Sequence, residues 1–227
     1  MSTTHSPEPF LDCAVEPNVR GWLHRPDKPA GDGLILTHGA GSNAQAPLLI
    51  SLANEFAQAG FDVLRCDLPY RQLRSYGPPG PGDAARDREG LKNAVGIVRK
   101  LASSRVFLGG HSYGGRQATM LCAEEPGLVD GLLLLSYPLH PPRKPEQLRT
   151  QHLPNLRTLC LFVEGTRDPF ATIDEIKAAL KLIPAKTQLL EIDGAGHDLD
   201  FKKSKTGEGS LVASILQNFQ ELFGKAR

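Results

Sequence analysis

The sequence predicts an α/β fold: a mostly parallel central sheet with helices on both faces and no large cap domain. Two patterns carry that expectation. Short runs rich in leucine and β-branched residues alternate with longer stretches of helical period. No insertion between them is long enough to build a large helical cap. A chain of 227 residues suits one substantial core better than two. Residues 18–227 are therefore expected to form a single domain behind a flexible N-terminal segment at 1–17.

Taken in order, the strand-like runs fall at 18–25, 33–37, 61–68, 105–108, 131–137, 158–164 and 187–192. Helical periodicity fills 47–58, 84–101, 115–123, 173–182 and 211–223. In the last of these, Leu211, Ile215, Leu216, Phe219 and Leu222 return every three or four positions, which gives one apolar face to the sheet. Two stretches read as irregular. Residues 70–83 contain Gly77-Pro78-Pro79-Gly80 and are expected to loop over the surface, and 139–156 carry Pro141, Pro142, Pro145 and Pro154.

Composition excludes several classes of function. Lys plus Arg total 26 against 25 for Asp plus Glu, a formal charge of +1, so no strong field draws the chain to nucleic acid or acidic lipid. Cys13, Cys66, Cys122 and Cys160 show no C-x-x-C spacing and are expected to be reduced. The first ten residues lack an apolar stretch behind a positive segment, and no run approaches the ~20 apolar residues of a membrane span. The expectation is a soluble, cytoplasmic protein with no membrane span.

The strongest chemical signal is Gly110-His111-Ser112-Tyr113-Gly114-Gly115, directly after one strand and directly before a helix. A serine on so sharp a turn exposes its hydroxyl, and glycines at 110 and 114 remove side chains that would strike neighbouring backbone. The following helix aims its N-terminal amides at the site, so the Tyr113 N–H is a candidate oxyanion donor. His38-Gly39-Ala40-Gly41, after an earlier strand, offers a second; Ala40 is preferred and Gly41 is the alternative. His38 itself reads as a hydrogen-bonded structural histidine.

Serine needs a base, and the base needs an orienting acid. One late strand empties into Gly165-Thr166-Arg167-Asp168-Pro169, and the last into Asp193-Gly194-Ala195-Gly196-His197. Asp168 and His197 are therefore the expected acid and base, in the chain order Ser, Asp, His. His5, His24, His111, His140 and His152 do not follow a late strand in a glycine loop. Asp193 and Asp198 rival Asp168, although both lie too near His197 in sequence to reach its far nitrogen easily. No H-E-x-x-H spacing supports a metal site.

Tyr70, Tyr113 and Tyr137 follow strand ends, where side chains line ligand crevices. Tyr70 and Tyr137 are thus candidate substrate-binding residues; half-buried rim positions are the alternative. Arg71 and Arg74 read as solvated loop arginines before contacts for an anionic substrate, and Arg116 as an ion-pair anchor.

Five ordered motifs together resemble a known family: Thr37-His38-Gly39-Ala40-Gly41, Asp67-Leu68-Pro69-Tyr70-Arg71, Gly109 to Arg116, Ser136-Tyr137-Pro138-Leu139-His140-Pro141-Pro142 and Gly165 to Phe170. They are similar to the KANL3/Tex30-type α/β-hydrolase-like proteins, relatives of the dienelactone hydrolases, from about Leu34 to the C-terminus. The resemblance implies the α/β-hydrolase fold, a triad of Ser112, Asp168 and His197, and no cofactor. Dienelactone hydrolases carry cysteine at the elbow where this chain has Ser112, so their reaction does not carry over. The expected function is a serine hydrolase, carboxylesterase-like, acting on a small-molecule acyl substrate. A non-catalytic interaction or ligand-binding module on the same fold is the alternative, and thioester, amide or carbon–carbon substrates stay open beside esters.

Overall fold

The computed structural model describes residues 6–199 and 208–225, apart from the side chains of 208–210. His5, the first five residues of the expected flexible segment and the last two of the chain lie outside the described residues. The strands are β1 (Glu8–Asp12), β2 (Val19–His24), β3 (Gly33–Thr37), β4 (Asp62–Asp67), β5 (Val106–His111), β6 (Gly131–Leu135), β7 (Cys160–Gly165) and β8 (Thr187–Ile192). The helices are α1 (Pro47–Gln58), α2 (Pro69–Leu73), α3 (Asp83–Leu101), α4 (Tyr113–Glu124), α5 (Ile173–Leu180) and α6 (Glu208–Phe223), with a 3-10 turn at Leu153–Asn155.

The strands form one sheet in the order β1-β2-β4-β3-β5-β6-β7-β8. β3 to β8 run parallel, and β2 joins β4 antiparallel. Strand order reverses between β4-β3 and β3-β5, so the loops leaving β3 and β5 diverge and open a crevice at their carboxyl ends. That crevice holds the candidate site.

Each buried strand is apolar on both faces because helices cover both. Ile35, Leu108 and Leu134 face a core closed by α3, α4 and α5, while Leu34, Leu36, Phe107 and Leu133 face a second core under α1 and α6. The second core is built on aromatic rings. Phe219 of α6 packs edge-on against Phe56, Phe61 and Phe107 at centroid separations of 5.0, 5.8 and 4.8 Å. Arg105 fastens the end of α6 by bonding Phe223 O while pairing with buried Asp32 at 2.6 Å. All four cysteines are free thiols, and only Cys13 is exposed. Among the described residues no helix is long and apolar enough to cross a membrane.

Two expectations need correction. The segment 1–17 contains β1, which pairs antiparallel with β2 and sets Phe10 against the core. Its sequence signal is weak because an edge strand can carry Pro9 where no ladder N–H is needed. The expected loop at 70–83 opens with a helical turn, α2, whose Pro69 occupies the first helical position, where its missing N–H costs nothing.

Glu164, near the end of β7, is wholly buried. Its Oε1 accepts a bond from the Tyr137 N–H at 2.7 Å, and its Oε2 has no partner among the described residues. Burial pushes this carboxyl well above its usual range, and the nearby Asp168 carboxylate adds to the effect.

Two outcomes follow from this packing. Phe219→Ala should lower unfolding free energy by ~3–5 kcal/mol in urea titrations, since it empties the centre of the ring cluster. The second concerns pH. A carboxyl with a raised folded-state pKa stabilises the fold most at acid pH, and that contribution is lost as pH rises from the unfolded value toward the folded one. Glu164→Gln keeps the acceptor without the charge, so its stability relative to wild type should grow between pH 4.5 and pH 8. A pH-independent difference in urea midpoints would contradict the assignment.

Candidate active site

Ser112 sits between β5 and α4 with φ 50° and ψ −116°, a region that L-residues rarely occupy. Surrounding backbone holds it there. Its N–H donates to Leu135 O on the neighbouring strand at 2.8 Å, and its carbonyl accepts the first helical bond from the Arg116 N–H at 3.0 Å. A Cβ on Gly110 would lie 2.5 Å from the carbonyl carbon of Gly114 and the nitrogen of Gly115, and one on Gly114 would lie 2.6 Å from His38 O. These contacts are with backbone, so only glycine lets strand and helix approach closely enough to make the turn.

Two loops bring the partners. Asp168 follows β7 and His197 follows β8. The His197 Nδ1–H donates to Asp168 Oδ2 at 2.7 Å, and its Nε2 accepts from the Ser112 hydroxyl at 2.8 Å. Asp168 Oδ1 accepts the Phe170 N–H at 2.8 Å, so both carboxylate oxygens are engaged. The Phe170 ring lies 4.1 Å from the imidazole at 30° and shields one of its faces. His111 anchors the loop from below: its Nε2–H donates to His197 O at 2.8 Å, and burial holds its own imidazole below the usual range. A hydroxyl, an imidazole and a carboxyl group joined in this order can pass a proton from oxygen to ring while the ring's charge is stabilised.

The loop after β3 lies opposite. Ala40 and Gly41 border the cavity with Ser112, and Tyr113 is the first residue of α4, so its N–H has no partner within the helix. The Gly39–Ser42 carbonyls are held from behind by the motif Tyr70-Arg71. The Tyr70 hydroxyl donates to Ala40 O at 2.8 Å. Arg71 donates through Nη2 to Ala40 O at 3.1 Å and through Nε to Ser42 O at 2.7 Å, and it also reaches Gly77 O at 2.8 Å. Asp87 of α3 ties this support to the Ser112 turn, accepting from the Tyr70 N–H at 3.0 Å and from the Tyr113 hydroxyl at 2.8 Å. His38 is buried and structural: Nδ1–H donates to Gly39 O, Nε2 accepts from the Leu68 N–H, and burial lowers its pKa to about 4.

The cavity, about 590 Å³, is within the range of small-molecule sites. The structure brings Ser112, His197, Ala40 and Tyr113 onto its wall, with Asp168 behind. It does not bring Tyr70 and Tyr137 there. Both are 1% exposed: Tyr70 is committed to the loop carbonyls, and Tyr137 packs on Phe162 with its hydroxyl 3.3 Å from His152. They support the pocket rather than line it, because each side chain turns back under the strand end that carries it. Arg71 is likewise buried and not a solvated loop residue; four carbonyls satisfy its guanidinium. Arg74 does keep a half-exposed pair, with Asp83. Arg116 makes no ion pair among the described residues and lines the cavity instead. Sequence reasoning missed Asp87, Phe170 and Arg149 as site components, although Phe170 lay in a motif already singled out.

The family model of the α/β hydrolase domain matches residues 30–223. Among solved structures, a dienelactone hydrolase from Anabaena variabilis aligns at 23% identity with a TM-score of 0.72, covering 98% of this chain and all of the other. An α/β serine hydrolase homologue from Coxiella burnetii aligns at 17% identity and a TM-score of 0.70 over 96% of this chain and 99% of its own. Est1E from Butyrivibrio proteoclasticus does so at 16% and 0.72 over 97% of this chain and all of its own. At these identities the structures speak to the fold, whereas the family model spans most of the chain. The chain belongs to the α/β hydrolase domain family.

Proposed function

We propose that the protein is a serine hydrolase of the carboxylesterase type, which cleaves an ester or related acyl bond through Ser112, His197 and Asp168. The observation that carries this reading is the unbroken path from Ser112 Oγ to His197 Nε2 at 2.8 Å and from Nδ1 to Asp168 Oδ2 at 2.7 Å. Ser112 Oγ attacks the substrate carbonyl as His197 Nε2 takes its proton. The oxyanion so formed accepts from the N–H groups of Tyr113 and Ala40, each contributing ~3 kcal/mol to the lowered barrier. The tetrahedral intermediate collapses, the alcohol leaves with the proton from His197, and an acyl group remains on Ser112 Oγ. Water, deprotonated by the same imidazole, then releases the acid. Asp168 keeps the proton on Nδ1 throughout, so that Nε2 remains the base.

The five ordered motifs support a single domain of the KANL3/Tex30 type; a cytoplasmic location is part of the same proposal. Strain at Ser112 favours the enzyme over a non-catalytic module, since a binding scaffold has no need of a serine held at φ 50° beside an imidazole.

Ser112→Ala should reduce hydrolysis of p-nitrophenyl acetate by ~10⁴-fold or more and abolish labelling by a fluorophosphonate probe. Undiminished turnover in that variant would sink the assignment. Arg71→Met removes the support behind Ala40 without touching the nucleophile. It should lower kcat by roughly tenfold with little change in KM, because a displaced donor weakens the transition state more than the bound ester. A rise in KM at constant kcat would argue instead that the loop only binds substrate.

A further inference from the structure

The geometry points to an anion-binding subsite beside Ser112, formed by Arg116 and Arg149, that selects substrates carrying a carboxylate away from the scissile bond. The inference rests on the serine-hydrolase reading for the reaction, while the subsite stands on its own observations.

Both guanidinium-bearing residues line the cavity that holds Ser112 and His197. Arg116 lies on α4 one turn beyond the nucleophile, three residues from Tyr113, which puts the two on one helix face. Arg149 comes from the proline-rich segment after β6, where its N–H bonds Leu139 O at 2.8 Å. The two are close enough that burial and the charge of Arg116 together depress the Arg149 pKa.

Neither has a counter-ion among the described residues. Arg116 Nε is buried with no hydrogen-bond partner, and Arg149 Nη1 makes one long bond, 3.4 Å, to Pro138 O. Several other cations have a carboxylate partner: Arg20 with Asp67, Arg105 with Asp32, Arg88 with Glu124 and Lys92 with Glu125. The carboxylates near the pocket do not serve these two. Asp168 is engaged by His197 and Phe170, and Asp198 lies exposed at the rim without an ion pair to either arginine. His152, pushed down to about 4 by burial and by the charges of Arg116 and Arg88, is neutral and offsets nothing.

Two uncompensated guanidinium groups in a pocket place a standing cost on the free protein, which an oxyanion relieves by accepting charge-assisted bonds. Arginine's planar fork suits a carboxylate in particular. The remaining wall is apolar at Pro78, Pro79 and Phe170, which fits a short hydrocarbon between the charge and the reacting carbonyl.

The test compares mono-p-nitrophenyl adipate with p-nitrophenyl hexanoate, which share acyl length and leaving group, and 4-acetoxybenzoate with phenyl acetate, which moves the charge to the alcohol side. Wild-type kcat/KM should favour the charged member of at least one pair by ~10-fold or more. That ratio should fall as salt is raised and collapse toward one in Arg116→Met and in Arg149→Met. Ratios of one or less in both pairs, in an enzyme that hydrolyses the neutral esters through Ser112, overturn the subsite and leave the hydrolase reading intact. If no ester turns over and Ser112 resists the fluorophosphonate, the hydrolase reading fails, and calorimetric titration with free adipate decides the subsite. Binding to wild type that is lost in the Arg116→Met/Arg149→Met double variant supports it; no binding, or equal binding to both, overturns it.

Discussion

The turn from β5 into α4 is the constraint from which the rest of the site follows. A parallel strand enters a helix with a single residue between them, and that residue, Ser112, adopts φ 50°. The conformation is unfavourable for serine by ~1–3 kcal/mol and persists because the surroundings over-determine it. Glycines at 110 and 114 allow backbone to touch backbone, and the Ser112 N–H is fixed to Leu135 O on the next strand. The same turn points α4 at the crevice. Its first N–H, the hydroxyl before it and the guanidinium one turn later therefore share a single origin.

Around that turn the protein builds rigidity from buried polar groups. Burial pushes the imidazoles of His38 and His111 below their usual range, and each donates a ring N–H to a loop carbonyl, His38 also accepting the Leu68 N–H. Asp87 links the hydroxyl of Tyr113 to the N–H of Tyr70, and Tyr70 and Arg71 brace the loop at Ala40. Arg116 and Arg149 line the cavity with no carboxylate paired to either among the described residues, and Arg116 Nε is buried without a hydrogen-bond partner. A partly buried charge without a counter-ion is costly, so two that converge on one pocket carry more weight than either alone.

The crevice itself is a property of topology. Because β3 has β4 on one side and β5 on the other, the loops after β3 and β5 leave in different directions and leave room for a ligand between them. Asp168 and His197, from the ends of β7 and β8, reach the serine because the sheet's right-handed twist brings successive strand ends round toward it. Asp168 and Ser112, 29 and 85 positions from His197 along the chain, come to 2.7 and 2.8 Å from its imidazole.

Local pattern determined much of this protein. The alternation of apolar runs and helical periods is enough to place seven of the eight described strands and five of the six described helices, and the Gly110-to-Gly115 pattern puts Ser112 on a tight strand-to-helix turn, since steric rules about such a turn act over six residues. Asp168 and His197 were legible for the same reason: each ends a strand in a short loop. Tertiary structure alone decided what depends on the packing of distant segments. It made β1 an edge strand, which has no strong pattern of its own because only one neighbour and one face constrain it. It turned Tyr70, Arg71 and Tyr137 inward, where sequence placed them on the pocket or in solvent, because a side chain's direction at a strand end is set by which carbonyls and rings lie beneath it. And it brought Arg116 and Arg149 to one cavity without an acid between them. Whether an arginine finds a partner is a fact about space, which spacing along the chain does not contain.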